Sequence, residues 1–170
     1  MKYVLTLLAA GGLVFAGSDS PAISNFHQVD SHVFRGGQPK AAEFAALAHL
    51  GVKTVLDLRE ENYARGEQKL VEAAGMRFIS LPMGGLAAPS DQQIARALAI
   101  IEDSVNGPVF VHCRRGADRT GTVIACYRVA HDGWENQRAL DEARSLGMSW
   151  IERAMRSYVL HYHAPLASVH

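Results

Sequence analysis

One cysteine and three arginines lie within eleven consecutive residues, VHCRRGADRTG at positions 111–121. Five residues separate Cys113 from Arg119. A cysteine thiolate is a strong nucleophile, and an arginine side chain makes paired hydrogen bonds to phosphate oxygens. This spacing therefore predicts that Cys113 attacks a phosphorus atom while Arg119 binds the oxygens around it.

The cysteine ends an apolar run, GPVFVHC at 107–113, and a helix is predicted from Asp118 onward. A loop between a strand and a helix directs backbone N–H groups and the positive end of the helix dipole at one point, where an oxyanion can bind. The same field favours the thiolate form of the cysteine. The predicted phosphate-binding residues are Arg114, Arg115, Gly116, Ala117, Asp118, Arg119 and Thr120.

Two neighbours of this loop have predicted supporting roles. The Thr120 hydroxyl can donate a hydrogen bond to the sulfur of Cys113 when that sulfur later departs from phosphorus. His112 precedes the nucleophile and is predicted to fix the loop from behind, through a backbone or side-chain contact. Gly116 allows the tight turn that such a loop requires.

Apolar runs of strand length alternate with amphipathic stretches along the rest of the chain. This alternation predicts an α/β fold with a central, mostly parallel sheet flanked by helices, and ligands bind such sheets at the carboxyl ends of the strands. Residues 20–29 are predicted as an extended leader. The predicted strands are 33–39, 52–58, 76–82 and 107–113, and the predicted helices are 39–49, 60–75, 91–105, 118–131, 134–146 and 149–162.

Length and charge limit the classes of function. A chain of 170 residues suits one domain with one core, and 48% hydrophobic residues are ample for packing it. Lysine and arginine total 17 and so do aspartate and glutamate, which gives no net charge. A nucleic-acid or membrane-surface role needs a broad basic field, so neither is expected.

The N-terminus has the pattern of a secretory signal peptide. Lys2 is followed by an uncharged apolar stretch over 3–15 and by small residues at 16–18. An uncleaved anchor is the alternative, but the stretch is shorter than the ~20 residues that span a bilayer. We predict a signal peptide at 1–18, a single domain at 19–170, a periplasmic or secreted location, and no stable membrane insertion after cleavage.

The two cysteines, Cys113 and Cys126, are predicted to remain unpaired. Cys126 lies about two turns into the predicted helix, roughly 10 Å from its start at 1.5 Å per residue. A disulfide needs Cα atoms within about 7 Å of each other. Cys126 is therefore expected to be a core thiol and Cys113 a free one.

From Val33 to Trp134 the sequence resembles the cysteine-dependent protein tyrosine phosphatases, especially their compact dual-specificity branch. The segments FRGGQP, LGVKTVLDLREE, SLPM and YRVAHDGW resemble counterparts in bacterial secreted members and in the plant and fungal atypical group. The resemblance implies hydrolysis of phosphomonoesters through a phosphocysteine intermediate, with Cys113 as nucleophile and Arg119 as the phosphate-binding arginine. It implies no metal and no cofactor, and leaves phosphorylated proteins, phosphoinositides and inositol phosphates open as substrates.

The general acid is the point at which this sequence departs from the family. Family members carry an aspartate on the loop after the preceding strand, and Leu86 stands at that place here. Asp91 and Asp118 could substitute, although Asp91 is also a normal first-turn residue of a helix and Asp118 a normal ion-pair partner or N-cap. The order Asp-Arg-Thr resembles the loop of myotubularin-type and Sac-type lipid phosphatases. Without any acid, substrates with good leaving groups such as aryl phosphates or pyrophosphates would be favoured.

Four arginines and a group of histidines have open interpretations. Arg59 could contact substrate, support the loop or pair with a neighbouring acid, whereas Arg35 is predicted to bond backbone near the sheet edge. Arg114 and Arg115 are expected to point outward, where they would favour polyanions or form a solvated rim. The histidines at 161, 163 and 170 are interpreted as a tail rather than a metal site.

Two other functions remain compatible with a cysteine in an anion-binding loop. One is a phosphate-binding module with little catalysis, because no acid is found at Leu86. The other is a rhodanese-like sulfurtransferase that forms a persulfide on Cys113. The Arg-Thr-Gly sequence that ends the loop favours phosphate.

Overall fold

The computed structural model describes residues 21–164, without the side chains of residues 61 and 63–65. The predicted signal peptide at 1–18 and His170 lie outside the described residues. Five strands form one sheet in the order β1-β2-β5-β3-β4, with β1 antiparallel to β2 and all other neighbours parallel. The strands are β1 (His27–Gln28), β2 (Val33–Gly36), β3 (Thr54–Asp57), β4 (Arg77–Ser80) and β5 (Val109–His112).

Within residues 21–164 six helices pack around this sheet, and the predicted α/β class with a mostly parallel sheet is confirmed. The helices are α1 (Glu43–His49), α2 (Glu61–Ala73), α3 (Asp91–Glu102), α4 (Asp118–Ala130), α5 (Asn136–Ser145) and α6 (Arg153–Leu160). Among residues 21–164 there is no helix with the length and apolar composition needed to cross a bilayer.

Consecutive residues of the central strands pack into two different cores. Val55 and Phe110 contact one hydrophobic cluster, while their neighbours Leu56 and Val111 contact another. This alternation arises because successive side chains of a strand point to opposite faces of the sheet. Both faces are therefore buried, as is usual for parallel sheets, and the strands read as continuous apolar runs.

Several predicted element boundaries differ from those of the structure, including the start of α6 at Arg153 rather than 149, and two of the differences have a clear local reason. The first helix begins at Glu43 rather than Pro39, because the Glu43 carboxylate accepts a hydrogen bond from the backbone N–H of Lys40 at 2.6 Å. Helix α3 ends at Glu102 rather than 105, where Asp103 turns extended and caps the N–H of Val105 at 2.9 Å. Strand β1 falls within the predicted leader and is too short, at two residues, to show alternation.

The parallel register brings three strand ends together at one edge of the sheet. His112 at the end of β5 pairs with Gly36 of β2 on one side and with Asp57 of β3 on the other. Cys113 follows immediately and is 2% exposed. Both cysteines are free thiols, as predicted, and burial raises the pKa of Cys126 in α4.

Candidate active site

The predicted phosphate-binding loop connects the end of β5 to the N-terminus of α4 at the carboxyl edge of the sheet. A cavity of about 420 Å³ lies against this loop, and its lining residues are Gln38, Arg59, Glu60, Arg114 and Arg119. The opening of the cavity is thus dominated by arginine. This is the location that the sequence predicted for an anion site.

Gly116 makes the turn of the loop possible. Its φ of +69° lies in the left-handed region that favours glycine. A Cβ atom at this position would lie 2.3 Å from the carbonyl carbon of Gly36, which is backbone and cannot move aside. The loop therefore packs directly on the end of β2, and no residue with a side chain fits there.

The back of the loop is held by three donors from the N-terminal part of the chain. The carbonyl oxygen of Gly116 accepts hydrogen bonds from Arg35 Nη2 at 2.6 Å and from Asn25 Nδ2 at 2.8 Å. The backbone N–H of Gln38 donates to the Arg114 carbonyl at 3.2 Å. Arg35 thus bonds backbone, as predicted, whereas the contribution of Asn25 was missed because that residue lies in the predicted leader.

Arg119 and Thr120 lie in the first turn of α4, beside Cys113 in the fold. Arg119 is half-buried, and its Nη1 donates to the carbonyl of Met83 at 3.4 Å. Thr120 is fully buried, and its Oγ1 has no hydrogen-bond partner within residues 21–164. An unpartnered buried hydroxyl is costly, which is consistent with a donor held for a group that binds in the site.

Arg114 and Arg115 point outward, as predicted, but into different surroundings. Arg114 is exposed and lines the cavity. The Arg115 side chain is 63% exposed and pairs with the carboxylate of Asp118. Arg114 is therefore the arginine of the pair that is available to a molecule in the cavity, whereas Arg115 stabilises the loop itself.

The structure gives each of the two candidate acids hydrogen-bond partners within the protein. In Asp118, Oδ1 accepts the backbone N–H of Ser149 at 2.8 Å and Oδ2 accepts Arg115. Asp91 accepts the hydroxyl of Tyr158 at 2.7 Å and lines a different cavity with His161 and other residues. The structure does not bring Asp91 to the phosphate-binding loop.

Leu86 lies in the loop after β4 and is 75% exposed. The carboxylate that lines the loop cavity belongs to Glu60, the exposed residue just before α2. No acidic side chain takes the place that an aspartate holds in the family, within the described residues of the loop after β4.

A buried charge network lies beneath the loop. The guanidinium of Arg59 donates to Asp57 at 2.9 and 2.7 Å and to Glu67 at 2.6 Å. Burial alone would lower the pKa of Arg59, but the hydrogen bond and charge of Asp57 outweigh it and raise that pKa. Of the roles predicted for Arg59, the structure shows the ion pair and the support of the loop region.

His112 connects this network to the nucleophile. Its Nε2 lies 2.7 Å from Glu67 Oε1, and its Nδ1 lies 3.3 Å from the carbonyl oxygen of Cys113. The ring stacks on Phe110 with centroids 5.5 Å apart. His112 therefore lies behind the loop, as predicted, while nothing in the local sequence signalled Glu67, which comes from helix α2.

Asp57, Glu67 and His112 have the composition of a small metal site, with potential ligand atoms within 4.8 Å of one another. Arg59 already donates hydrogen bonds to both carboxylates, so its guanidinium supplies the positive charge that a metal ion would supply. We therefore interpret these three residues, together with Arg59, as a structural ion network that stabilises the ends of the strands.

Substitution of Glu67 by glutamine is expected to lower the free energy of unfolding by about 3 kcal/mol, because it leaves buried Arg59 and His112 with one carboxylate fewer. Urea denaturation followed by circular dichroism measures this loss. Glu72→Gln is the matched control, since Glu72 lies on the same helix but is exposed. Equal stability of the two variants would contradict a structural role for the network.

The fold and the loop together define the class of protein to which this chain belongs. A cysteine at the end of a central parallel strand, a five-residue loop and an arginine at the start of the next helix form the site of a cysteine-dependent phosphatase of the dual-specificity type. A family model, PTP-NADK, described as "DSP-PTPase phosphatase fused to NAD+ Kinase", matches residues 15–159. The chain belongs to this family, and the family resemblance predicted from the sequence is confirmed.

Curated and solved relatives agree with this assignment. The chain is 34% identical over 108 residues to "Inositol diphosphatase DSP1" of Oryza sativa subsp. japonica, a match that covers 61% of this chain and 49% of that protein. The chain thus spans about half the length of this relative.

Two solved structures have the same fold. The catalytic domain of the PP-IP phosphatase SIW14 from S. cerevisiae, in complex with citrate, aligns with a TM-score of 0.73 and 26% identity over 83% of this chain and 86% of that one. The P. aeruginosa protein TpbA in complex with pTyr aligns with a TM-score of 0.71 and 29% identity over 82% and 85%.

Proposed function

We propose that this chain is a cysteine-dependent phosphatase whose substrates are small molecules that carry a diphosphate group, such as inositol diphosphates. It cleaves the terminal phosphate from that group. One observation carries the proposal: a 420 Å³ cavity at the Cys113 loop is lined by Arg59, Arg114 and Arg119, while Leu86 stands where an acid is expected. Several arginines suit a substrate with several phosphates. The inositol diphosphatase among the relatives supports this choice.

In the first step the thiolate of Cys113 attacks phosphorus, and the bond from phosphorus to the leaving oxygen breaks in line with the new S–P bond. The electron pair of the broken bond stays on the leaving oxygen. Arg119 and the N–H groups of the loop stabilise the charge on the three equatorial oxygens, a type of interaction that contributes several kcal/mol. The product of this step is a phosphocysteine.

In the second step water attacks the phosphocysteine and the S–P bond breaks. Inorganic phosphate leaves with the oxygen and both protons of that water, and the sulfur keeps the electron pair of the S–P bond and returns as a thiolate. The buried hydroxyl of Thr120 is the donor available to that sulfur as its negative charge develops. This assigns a use to a side chain that has no other partner within residues 21–164.

The leaving group decides which substrates react without a carboxylic acid. A phosphate or a phenol departs without full protonation, whereas the alkoxide of a serine or of an inositol monophosphate does not. Both oxygens of Asp118 accept hydrogen bonds from other groups, and Asp91 bonds Tyr158 and lines a different cavity. We therefore propose that the enzyme works without a dedicated general acid, the alternative to Asp91 and Asp118 that the sequence left open.

The substrate preference follows as a prediction. We expect kcat/KM for an inositol diphosphate and for an aryl phosphate to exceed that for a phosphoserine peptide by about 10²–10⁴-fold, the usual contribution of a general acid. Release of inorganic phosphate from the three substrates, at one pH and ionic strength, measures the ratio. A phosphoserine peptide cleaved as fast as the aryl phosphate would contradict it.

Three carboxylate variants serve as controls for that series. Asp118→Asn, Asp91→Asn and Glu60→Gln are each expected to retain kcat/KM for the diphosphate within about tenfold, since a true general acid contributes at least about 10²-fold. A larger loss in one of them would identify that residue as the acid and overturn the proposal of acid-free catalysis.

A second candidate substrate is phosphotyrosine. The solved relative in complex with pTyr favours it, and the phenol of tyrosine is a good leaving group. The same series separates the two candidates, because a phosphotyrosine peptide that exceeds the inositol diphosphate in kcat/KM would reverse their order. Neither result changes the roles proposed for Cys113 and Arg119.

We also propose that the protein is exported. The support is the charge of Lys2, the uncharged apolar stretch and the small residues at 16–18. Expression of the full chain with a C-terminal tag in a bacterial host is expected to give a periplasmic protein that begins near residue 19 by mass spectrometry. A cytoplasmic protein with an intact N-terminus would refute export.

A further inference from the structure

Arg35 is a buried cation that the proposed reaction does not use. It lies in β2, is 1% exposed, and donates through Nη2 to the carbonyl oxygen of Gly116 at 2.6 Å. Its Nε and Nη1 have no hydrogen-bond partner within the described part of the chain. A buried, incompletely paired charge costs free energy, and burial lowers the pKa of Arg35 to about 10. The cost of burying this charge indicates that Arg35 contributes something that an uncharged residue would not.

The hydrogen bond to Gly116 has a geometric consequence for the loop. A trans peptide group is planar, and its C=O and N–H point in opposite directions. Arg35 and Asn25 hold the Gly116 oxygen at the back of the loop, so the N–H of Ala117 in the same peptide group points to the opposite side. That side faces the site where the loop binds an anion.

Arg35 pairs in the sheet with Val111, two residues before Cys113, and bonds the loop at Gly116, so its charge lies behind the loop that carries the nucleophile. Among the charged groups that face Arg35, Glu142 of α5 and the thiolate of Cys113 favour its cationic form, and Arg128 of α4 opposes it. Both oxygens of Glu142 already accept hydrogen bonds from Arg128, at 3.3 and 2.9 Å. His27 lines the same small cavity as Arg35.

Other groups contribute to the field at Cys113. Arg59 interacts electrostatically with its thiolate. Among the described side chains, further titratable or charged residues around the loop are Asp57, Glu60, Glu67, His112, Arg114, Arg115, Asp118 and Arg119. Arg35 differs from the arginines that line the cavity because it lies behind the loop, where substrate does not neutralise it.

We propose that Arg35 is a positioning residue for the phosphatase reaction, which orients the Ala117 N–H toward substrate and stabilises the Cys113 thiolate through its buried charge. The positioning part rests on the proposed function. The electrostatic part concerns the free enzyme and can be tested without turnover.

Three variants separate the hydrogen bond from the charge. Arg35→Gln keeps N–H donors and removes the charge, and Arg35→Lys keeps the charge without the planar guanidinium. Asn25→Ala is the matched control, because it removes the other donor to the Gly116 oxygen and no charge.

The first readout is the rate of alkylation of Cys113 by iodoacetamide as a function of pH, assigned by mass spectrometry to distinguish Cys126. The second is kcat/KM for an aryl phosphate, and circular dichroism verifies folding.

Because Arg35→Gln lacks the charge, the midpoint of its alkylation profile is expected to lie about one pH unit above that of the wild-type protein. This shift corresponds to a tenfold change in ionisation of Cys113. At a pH below that midpoint, kcat/KM falls by about tenfold with it, because less thiolate is present. Arg35→Lys keeps the wild-type midpoint while its kcat/KM falls. Asn25→Ala also keeps the midpoint and loses only part of kcat/KM.

Folded Arg35→Gln with the wild-type midpoint and wild-type kcat/KM would overturn the proposal and leave Arg35 a purely structural residue. If Arg35→Gln does not fold, folded Arg35→Lys decides, since a midpoint displaced in that variant would show that the charge is not responsible. A wild-type protein that hydrolyses no phosphate, together with a displaced midpoint in Arg35→Gln, would refute the proposed function and retain the electrostatic role.

Discussion

Replacing Cys113 with serine is expected to lower kcat for an aryl phosphate by about 10⁴-fold or more, the scale of losing a nucleophile. The serine hydroxyl is not ionised at neutral pH, so the loop field cannot convert it into a comparable nucleophile. Inorganic phosphate release, measured at saturating substrate, gives the ratio. The substituted loop is expected to keep binding phosphate, since Arg119 and the backbone N–H groups are unchanged.

Cys126→Ser is the matched control for this variant. Cys126 is buried in α4, away from the loop, and its loss is expected to affect stability rather than turnover. Retained turnover in Cys113→Ser would remove Cys113 as the nucleophile. A wild-type enzyme with tight phosphate binding and no product burst in a single turnover would instead indicate a binding module, and thiosulfate-dependent sulfur transfer would indicate a sulfurtransferase.

Substitution of Arg119 by lysine is expected to lower kcat/KM by about 10²–10³-fold, comparable to removing a donor that stabilises the transition state. Lysine keeps the positive charge but loses the planar pair of N–H donors that matches two phosphate oxygens. The loss is expected mainly in kcat, because the equatorial oxygens carry more charge in the transition state than in the bound substrate. Steady-state kinetics with an aryl phosphate separates kcat from KM.

Arg114→Lys is the control for position in the cavity. Arg114 is exposed at the rim, so its replacement is expected to change kcat/KM by only a few-fold, about the scale of a solvent-exposed ion pair. Wild-type rates in both Arg114→Lys and Arg119→Lys would mean that charge in the cavity, rather than the two-pronged contact of Arg119, determines the rate.

The central loop could be predicted from the sequence because all its determinants are local. Cys113, Gly116 and Arg119 belong to one strand-loop-helix unit, and the apolar strand and the following helix fix their relative positions. The order of helices and strands was predictable for the same reason, since each element carries its own periodicity. The cavity at the carboxyl edge then followed from the parallel sheet.

The supports of the loop could not be predicted, because they come from distant parts of the chain. Asn25 lies 91 residues before Gly116, and Glu67 reaches His112 from a separate helix. Neither residue belongs to a pattern that local propensity can detect. Asp118 accepts a hydrogen bond from the backbone N–H of Ser149, which is 31 residues away. This contact could not be predicted from the residues around Asp118 either.

The hydrogen bonds of Asn25 and Ser149 set a minimum length for a working version of this protein. Asn25 bonds both the Gly116 carbonyl and the Leu146 carbonyl, and Ser149 donates its N–H to Asp118. A truncated protein that begins after Asn25 or stops before Ser149 would keep every residue from Cys113 to Arg119 and still lose anchors of their backbone. Trimming for crystallisation or engineering should therefore spare both flanks.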